Sequence, residues 1–460
     1  MNSTANLAAR LEELLGSTGV LSSEVELHKY AIAGRTPMIV AKPAHSVEVE
    51  EVVRFAESEK LVVICCGART KLDIGMPPHR YGLALDLGNL AEIPHYDPDD
   101  LTLSVDAGLS LKKLSKVLAE KGQFLPLAVP HFDRSTIGGT VASGIDSLYR
   151  LQFGTARDLL IGAEFVDGKG QLCKSGGRVV KNVTGYDIHK LLIGSLGTLA
   201  AITRLNFRTF PLPELRAGFL ANFSSAESAG GFRSSLLQSG LPFLTLELFD
   251  PEFSVLLHGV LKNAGNPVAD TVSRRCWGVF AAFIGNEAVV RRIQRELENR
   301  TSQSGAVSGA PLDASSNEHF SDSLRETSAW LPRAAPEVAV FRIAKPQWFP
   351  VDFGEGKHIR ENSELRAALL VSGSNTALLT ILCNSSTDKN IDAFASYVER
   401  LLFRLNANDG SAALLHAPDW LKARCNVWGP QRPDFPLVQR VKAAFDPVNV
   451  FAPGRFVGGL

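Results

Sequence analysis

Three stretches of this chain combine small residues, hydroxyls and positive charge at a spacing that would let backbone hold a ligand. The first, Cys65-Cys66-Gly67-Ala68-Arg69-Thr70-Lys71, follows a short apolar run and reads as a tight loop. It lacks the Gly-x-x-x-x-Gly-Lys-Ser/Thr spacing of a P-loop. Consecutive amides there would cradle a pyrophosphate, although a plain β-turn accounts for the same residues. The second, Ser135 to Gly144, reads STIGGTVASG, and its small side chains permit close approach of the main chain to a ligand. The third, Ser175 to Thr203, places a short helix over Asp187–Ile193, with Asp187 able to cap it, between glycine turns at Gly176-Gly177 and Gly194–Gly197. The chemistry expected is that of amides pressed against a flat or anionic group; tight packing of a helix on a sheet would place the same residue types.

Other chemistries find little support. The six cysteines, at 65, 66, 173, 276, 383 and 425, contain no Cys-x-x-Cys, so neither a zinc ribbon nor an iron–sulfur site is written here. The ten histidines form no His-x-His or His-Glu-x-x-His, and no metal site is expected. Lysine plus arginine equals aspartate plus glutamate at 48 each, which excludes the basic footprint of a nucleic-acid binder. No apolar run reaches the roughly 20 residues of a membrane helix. The polar start lacks the basic and apolar parts of a secretory signal, so a cytoplasmic location is expected.

At 460 residues the chain calls for two domains or more. Strands are expected at 36–41, 61–64, 83–87 and 101–105. A helix from Ser46 to Glu59 carries Val49, Val52, Val53 and Ala56 on one face. Ser110 caps a second helix with Leu111, Leu114 and Leu118 buried. Leu159–Val166 and Gln171–Lys174 form a hairpin about Asp167-Gly168. Pro211-Leu212-Pro213 marks a boundary. Beyond it the chain repeats a β-α-β rhythm over 217–249, 277–343 and 376–416, with a Ser/Gly/Ala-rich loop between Thr301 and Glu318.

The segment from Pro43 to Pro213, with the tail FDPVNVFAPGRF, resembles the FAD-binding module of the vanillyl-alcohol-oxidase type, the PCMH fold. The motifs that carry the resemblance are Thr136–Ala142, Phe153–Asp158, Lys181–Asp187 and Gly194–Leu199 with Ile202-Thr203, in order across the module. Gly177–Asn182 and Trp428-Gly429 are most similar to the smaller, GlcE-type flavin subunit of glycolate oxidase. The fold implied is α+β: a two-lobed FAD-binding domain followed by a smaller, ferredoxin-like α+β cap. The division implied is 1–35 as an N-terminal helical segment, 36–213 as the FAD domain, 214–430 as the cap and 431–460 as a returning tail.

By the same resemblance Gly67, Ala68, Arg69, Thr70 and Lys71 would hold the pyrophosphate. Thr136, Ile137, Gly138, Gly139, Ala142 and Gly144 would run beside the flavin, with amides facing it. Gly154 and Asp158 would lie near the ribose and phosphates, and Thr198 and Ile202 at the adenine end. Where the family's first loop is glycine-rich, this one has Ala68 and Arg69, and Ala452 replaces the tail asparagine; weaker FAD affinity is expected. The loop has no histidine, so FAD is expected to be non-covalent, with His258, His319 and His358 of the cap as remote alternatives. No catalytic residue is assigned; Lys181, Asn182 and Tyr186 are the polar groups to mutate first. The implied role is that of a glycolate oxidase-like subunit acting on a small 2-hydroxy acid, beside a larger flavin subunit and an iron–sulfur subunit, peripheral to the inner face of a membrane. A self-sufficient flavin enzyme and a scaffold that has lost FAD are the other roles compatible with the sequence.

Overall fold

The computed structural model describes residues 2–178, 185–344, 364–373, 376–407 and 410–460, with side chains from residue 4 onward. The chain divides into two compact units: 1–146, 155–212 and 430–460 form the first, and 147–154 with 213–429 the second.

The first unit has two sheets. In one, β1 (Val20–Leu21), β2 (Ile39–Ala41), β3 (Val63–Cys66) and β4 (Leu83–Asp86) lie in the order β1-β2-β4-β3, with β2, β4 and β3 parallel. The helix Ser46–Ser58 joins β2 to β3 and buries Val49, Val52, Val53 and Ala56, the face its spacing predicts. Leu7 and Leu11 of the N-terminal helix Asn2–Leu15 enter the same core. The second sheet is antiparallel: β5 (His95–Asp97), β6 (Thr102–Asp106), β8 (Leu160–Val166), β9 (Leu172–Gly176) and β10 (Ala201–Arg208) in the order β5-β6-β10-β8-β9. A short ribbon pairs β7 (Gln123–Phe124) with β11 (Phe210–Pro211). The helix Leu111–Ala119, capped by Ser110 Oγ accepting from Lys113 N, buries Leu111, Leu114 and Leu118 against this sheet.

The tail closes the first unit. Val63 N donates to Val450 O at 2.9 Å and Ala452 N to Val63 O at 2.9 Å, so residues 450–452 lie along β3 with Phe451 fully buried. Lys442 Nζ, itself buried, donates to Asp446 Oδ2 and Thr198 O, each at 2.6 Å, and to Phe451 O at 2.9 Å. Asp446 also accepts from Val450 N and Phe451 N, so this buried pair is fully bonded.

The second unit is one antiparallel sheet of eight strands: β12 (Leu215–Phe223), β13 (Phe243–Phe249), β14 (Trp277–Gly285), β15 (Ser308–Leu312), β16 (Glu337–Ala344), β17 (Leu365–Ser372), β18 (Thr376–Cys383) and β19 (Ser411–His416). Their order, β15-β12-β14-β13-β17-β18-β16-β19, is two copies of a 4-1-3-2 ferredoxin-like arrangement joined through their second strands. The ferredoxin-like expectation thus applies twice. At the joint Glu247 lies opposite Ser372 and accepts hydroxyl bonds from Thr245 and Ser372. Burial raises its pKa, against the lowering effect of the two hydroxyls.

Several local expectations change. The loop expected between Thr301 and Glu318 contains edge strand β15 and the start of the helix Ala314–Arg325. Ser-Gly-Ala-Pro has little strand preference of its own; ladder bonds to β12 impose it. The helix expected at 187–193 is a 3-10 turn over Ile188–Leu191, and Asp187 pairs with Lys190 Nζ at 2.7 Å instead of capping it. The small-residue stretch after Ser135 is a helix, Ile137–Ser143, started by Thr136. Residues 179–184, which include Lys181 and Asn182, lie outside the described residues, as does His358.

Candidate flavin site

A cleft open to solvent lies within the first unit. One wall is the loop after β3. The amides of Gly67, Ala68, Arg69 and Thr70 meet no acceptor among the described residues. Gly67 is pressed onto the start of the helix Ile137–Ser143: a Cβ there would lie 2.5 Å from Thr136 Oγ1. Arg69 sits at φ 60°, a left-handed conformation that costs a non-glycine residue about 1–2 kcal/mol. Its Nη1 lies 3.2 Å from Asp86 Oδ2, and its guanidinium carbon 4.4 Å from the centre of the Tyr30 ring. Tyr30 Oη donates to the same Asp86 oxygen at 2.6 Å, and Gly88 N donates to the other at 2.9 Å. Burial, then Asp86, raises the Tyr30 pKa well above its ordinary value, so the phenol stays a donor. Lys71 Nζ bonds Ser135 Oγ at 2.5 Å.

The turn 194–197 contributes Leu196 and Gly197 to the lining. Gly194, Leu196 and Gly197 have φ of 75°, 53° and 68°. Gly194 N donates to Val141 O at 3.0 Å and Leu196 N to Ala142 O at 2.7 Å, which satisfies the last carbonyls of the helix Ile137–Ser143. The floor is Gly138, Gly139, Ala142 and Ser143, with Ala107, Ala200 and Ile202. Arg455 of the tail completes the lining; its Nη2 donates to Leu72 O at 2.5 Å and Ile74 O at 2.6 Å. Burial lowers its pKa to about 10, so it is cationic at neutral pH.

Of the residues expected to hold the cofactor, Gly67, Ala68, Arg69, Thr70, Lys71, Thr136, Gly138, Gly139, Ala142 and Ile202 line this cleft. Five others have different surroundings. Ile137 N donates to Leu109 O and its side chain is in the core. Gly144 caps the helix at φ 58° and abuts Gly194, whose Cα a Cβ at 144 would approach to 2.8 Å. Gly154 belongs to the second unit. Asp158 caps Thr155, accepting from its amide at 2.8 Å and its hydroxyl at 3.0 Å. Thr198 is buried, its carbonyl bonded to Lys442. The Gly138 amide, expected to face the flavin, is committed to Ala107 O at 2.8 Å, because the helix starts against that turn.

Among further lining residues, Cys65, Cys66, Leu72, Leu196, Gly197, Ala200 and Arg455 were given no cofactor role in the sequence reading. Leu196, Gly197 and Arg455 stand inside quoted motifs, so that signal was available. Burial pushes the Cys65 thiol up to about 12 and Cys66 well above its ordinary value, so neither is a thiolate at neutral pH. Among the described residues, no group of three or more His, Cys, Asp or Glu is placed to hold a metal, and no helix is long and apolar enough to cross a membrane.

A cleft with successive amides that meet no protein acceptor, cations and small lining residues suits an anionic dinucleotide. Comparison with known proteins agrees. Residues 37–176 match the model of a family described as FAD binding domain. Glycolate oxidase subunit GlcE of Escherichia coli (strain K12) is 32% identical over 210 residues, covering 45% of this chain and 59% of that protein. Glycolate oxidase subunit GlcD of Bacillus subtilis (strain 168) is 29% identical over 214 residues, 46% of each chain. The chain thus spans about half the length of these glycolate oxidase subunits. D-2-hydroxyglutarate dehydrogenase of Xanthomonas citri pv. viticola is 25% identical over 429 residues, covering 91% of this chain and 89% of that protein. Among solved structures, p-cresol methylhydroxylase superposes with a TM-score of 0.77 at 16% identity, over 99% of this chain and 97% of that one, which shows a shared fold. The chain carries an FAD-binding domain of the PCMH type, and its cofactor is FAD.

Proposed function

We propose that this chain is the FAD-binding subunit of a glycolate oxidase-like complex, taking part in oxidation of a 2-hydroxy acid, glycolate to glyoxylate, and passing electrons to a partner. The observation that carries the reading is the cleft of the first unit, in a chain that resembles two glycolate oxidase subunits over 46% and 45% of its length. Bound FAD supplies the redox chemistry, and the protein binds, orients and tunes it. The amides of Gly67–Thr70 hold the pyrophosphate without reorganising, because they are already turned away from protein acceptors. Lys71 and Arg455 add positive charge. Gly138, Gly139, Ala142, Gly197 and Ala200 keep the lining small, beside Ile202. FAD is held non-covalently. The cysteines have no cluster-binding spacing, so electrons leave through a larger flavin subunit and an iron–sulfur subunit, with the assembly peripheral to the inner face of a membrane.

A second reading, a self-sufficient FAD-dependent dehydrogenase of another hydroxy acid, is favoured by the end-to-end match to D-2-hydroxyglutarate dehydrogenase. Anaerobic addition of glycolate, D-lactate and D-2-hydroxyglutarate to the FAD-loaded chain, followed at the flavin absorbance bands, separates the two. The subunit reading expects no bleaching by the chain alone and bleaching once a larger flavin subunit is present. Full bleaching by the isolated chain overturns it in favour of the second.

A further inference from the structure

Arg69 stands at a left-handed position in a loop whose residues line the cleft, and its side chain is only partly exposed. It reaches back to the sheet, to Asp86 at 3.2 Å and over the Tyr30 ring at 4.4 Å. Asp86 is the β4 residue paired with Cys66, the last residue of β3 before the loop. The anchor therefore stands on rigid structure at the root of the segment it holds. Asp86 is 4% exposed and bonded to Tyr30, Gly88 and Arg69.

We propose that Tyr30, Asp86 and Arg69 form a tether that holds the 67–70 loop in its cofactor-receiving shape, doing through a side chain what glycine would do through backbone freedom. Arg69 is a positioning residue here: its backbone serves the cofactor and its guanidinium serves the backbone. Without the tether a non-glycine residue leaves the left-handed region and carries the neighbouring amides with it. The inference rests on the cleft holding FAD, and wild-type titration tests that separately.

The test is a double-mutant cycle on the full chain stripped of FAD, with FAD binding read from quenching of flavin fluorescence. Asp86→Asn is expected to raise the FAD Kd about tenfold in the wild-type background. In the Arg69→Gly background the same change is expected to alter Kd less than about twofold, since glycine needs no tether. In FAD-free protein, trypsin is expected to cut after Arg69 faster in Asp86→Asn than in wild type. Should Asp86→Asn not fold, Tyr30→Phe, which keeps the ring and removes one donor to Asp86, enters the same cycle with about a threefold change expected. An unchanged Kd in the wild-type background overturns the tether, as does an equal loss in both backgrounds, which would make Asp86 independent of Arg69. No saturable uptake by wild type removes the cofactor reading and the tether together.

Discussion

In the loop after β3, Arg69 is left-handed and its side chain meets Asp86 and the Tyr30 ring. In the turn 194–197, Gly194, Leu196 and Gly197 are left-handed, and the amides of Gly194 and Leu196 bond the end of the helix Ile137–Ser143. Each wall holds one non-glycine lining residue at positive φ, Arg69 in the first and Leu196 in the second. The first is secured by a partly exposed charge pair and a ring, the second by backbone bonds and close glycine contact. The first should therefore respond to charge and salt, and the second to volume.

Four measurements sharpen or break that contrast. The largest effect is expected at Lys442, which ties Thr198, just beyond the second wall, to the tail. Lys442→Met strands Asp446 as a buried, unpaired charge and should cost about 3–5 kcal/mol in urea unfolding; a loss below about 1 kcal/mol would remove this support from the second wall. Next, Gly144→Ala places a methyl 2.8 Å from Gly194 Cα at a positive φ, and should cost about 2–3 kcal/mol. A neutral result would show the wall to be pliable.

The third concerns pH. Burial lowers the His189 pKa below its ordinary 6.5, against the opposing charge of Asp187; the ring Nδ1 lies 3.1 Å from Ser175 Oγ. The folded state binds fewer protons here than the unfolded chain. The contribution is therefore fully present above about pH 6.5 and is lost as pH falls through the depressed folded value. Melting temperature should fall with acidification in wild type and fall less steeply in His189→Gln; parallel profiles would exclude His189 as the source. The smallest effect is expected at the first wall. Raising sodium chloride from 0.1 to 1 M should weaken the Arg69–Asp86 contribution by less than about 1 kcal/mol, seen as a shrinking penalty for Asp86→Asn. A penalty that grows with salt would contradict the electrostatic account.

Much of this was legible in residue order. Helical spacing of Val49, Val52, Val53 and Ala56 and the hydroxyl cap at Ser110 fix two helices, and Asp167-Gly168 marks the β8–β9 hairpin. The loop 67–71, the motif Thr136–Ala142 and Ile202 put ten named residues on one cleft. What stayed hidden depends on distant partners. Gly138-Gly139 lowers helix preference, so the helix over 137–143 emerges only through bonds to Ala107 and Leu109. The tether joins residues 30, 69 and 86, which no local pattern links. The duplication in the second unit shows in strand order, not in repeated words of sequence.

The returning tail also has a consequence for biosynthesis. The first unit places residues 450–452 along β3 and Arg455 in the cleft, with more than two hundred residues of the second unit emerging in between. A ribosome that has delivered every glycine of the cofactor pocket has still not delivered its last lining residue. Completion of the lining therefore waits for the tail to emerge, and β3 remains an open edge in the nascent chain until Phe451 arrives.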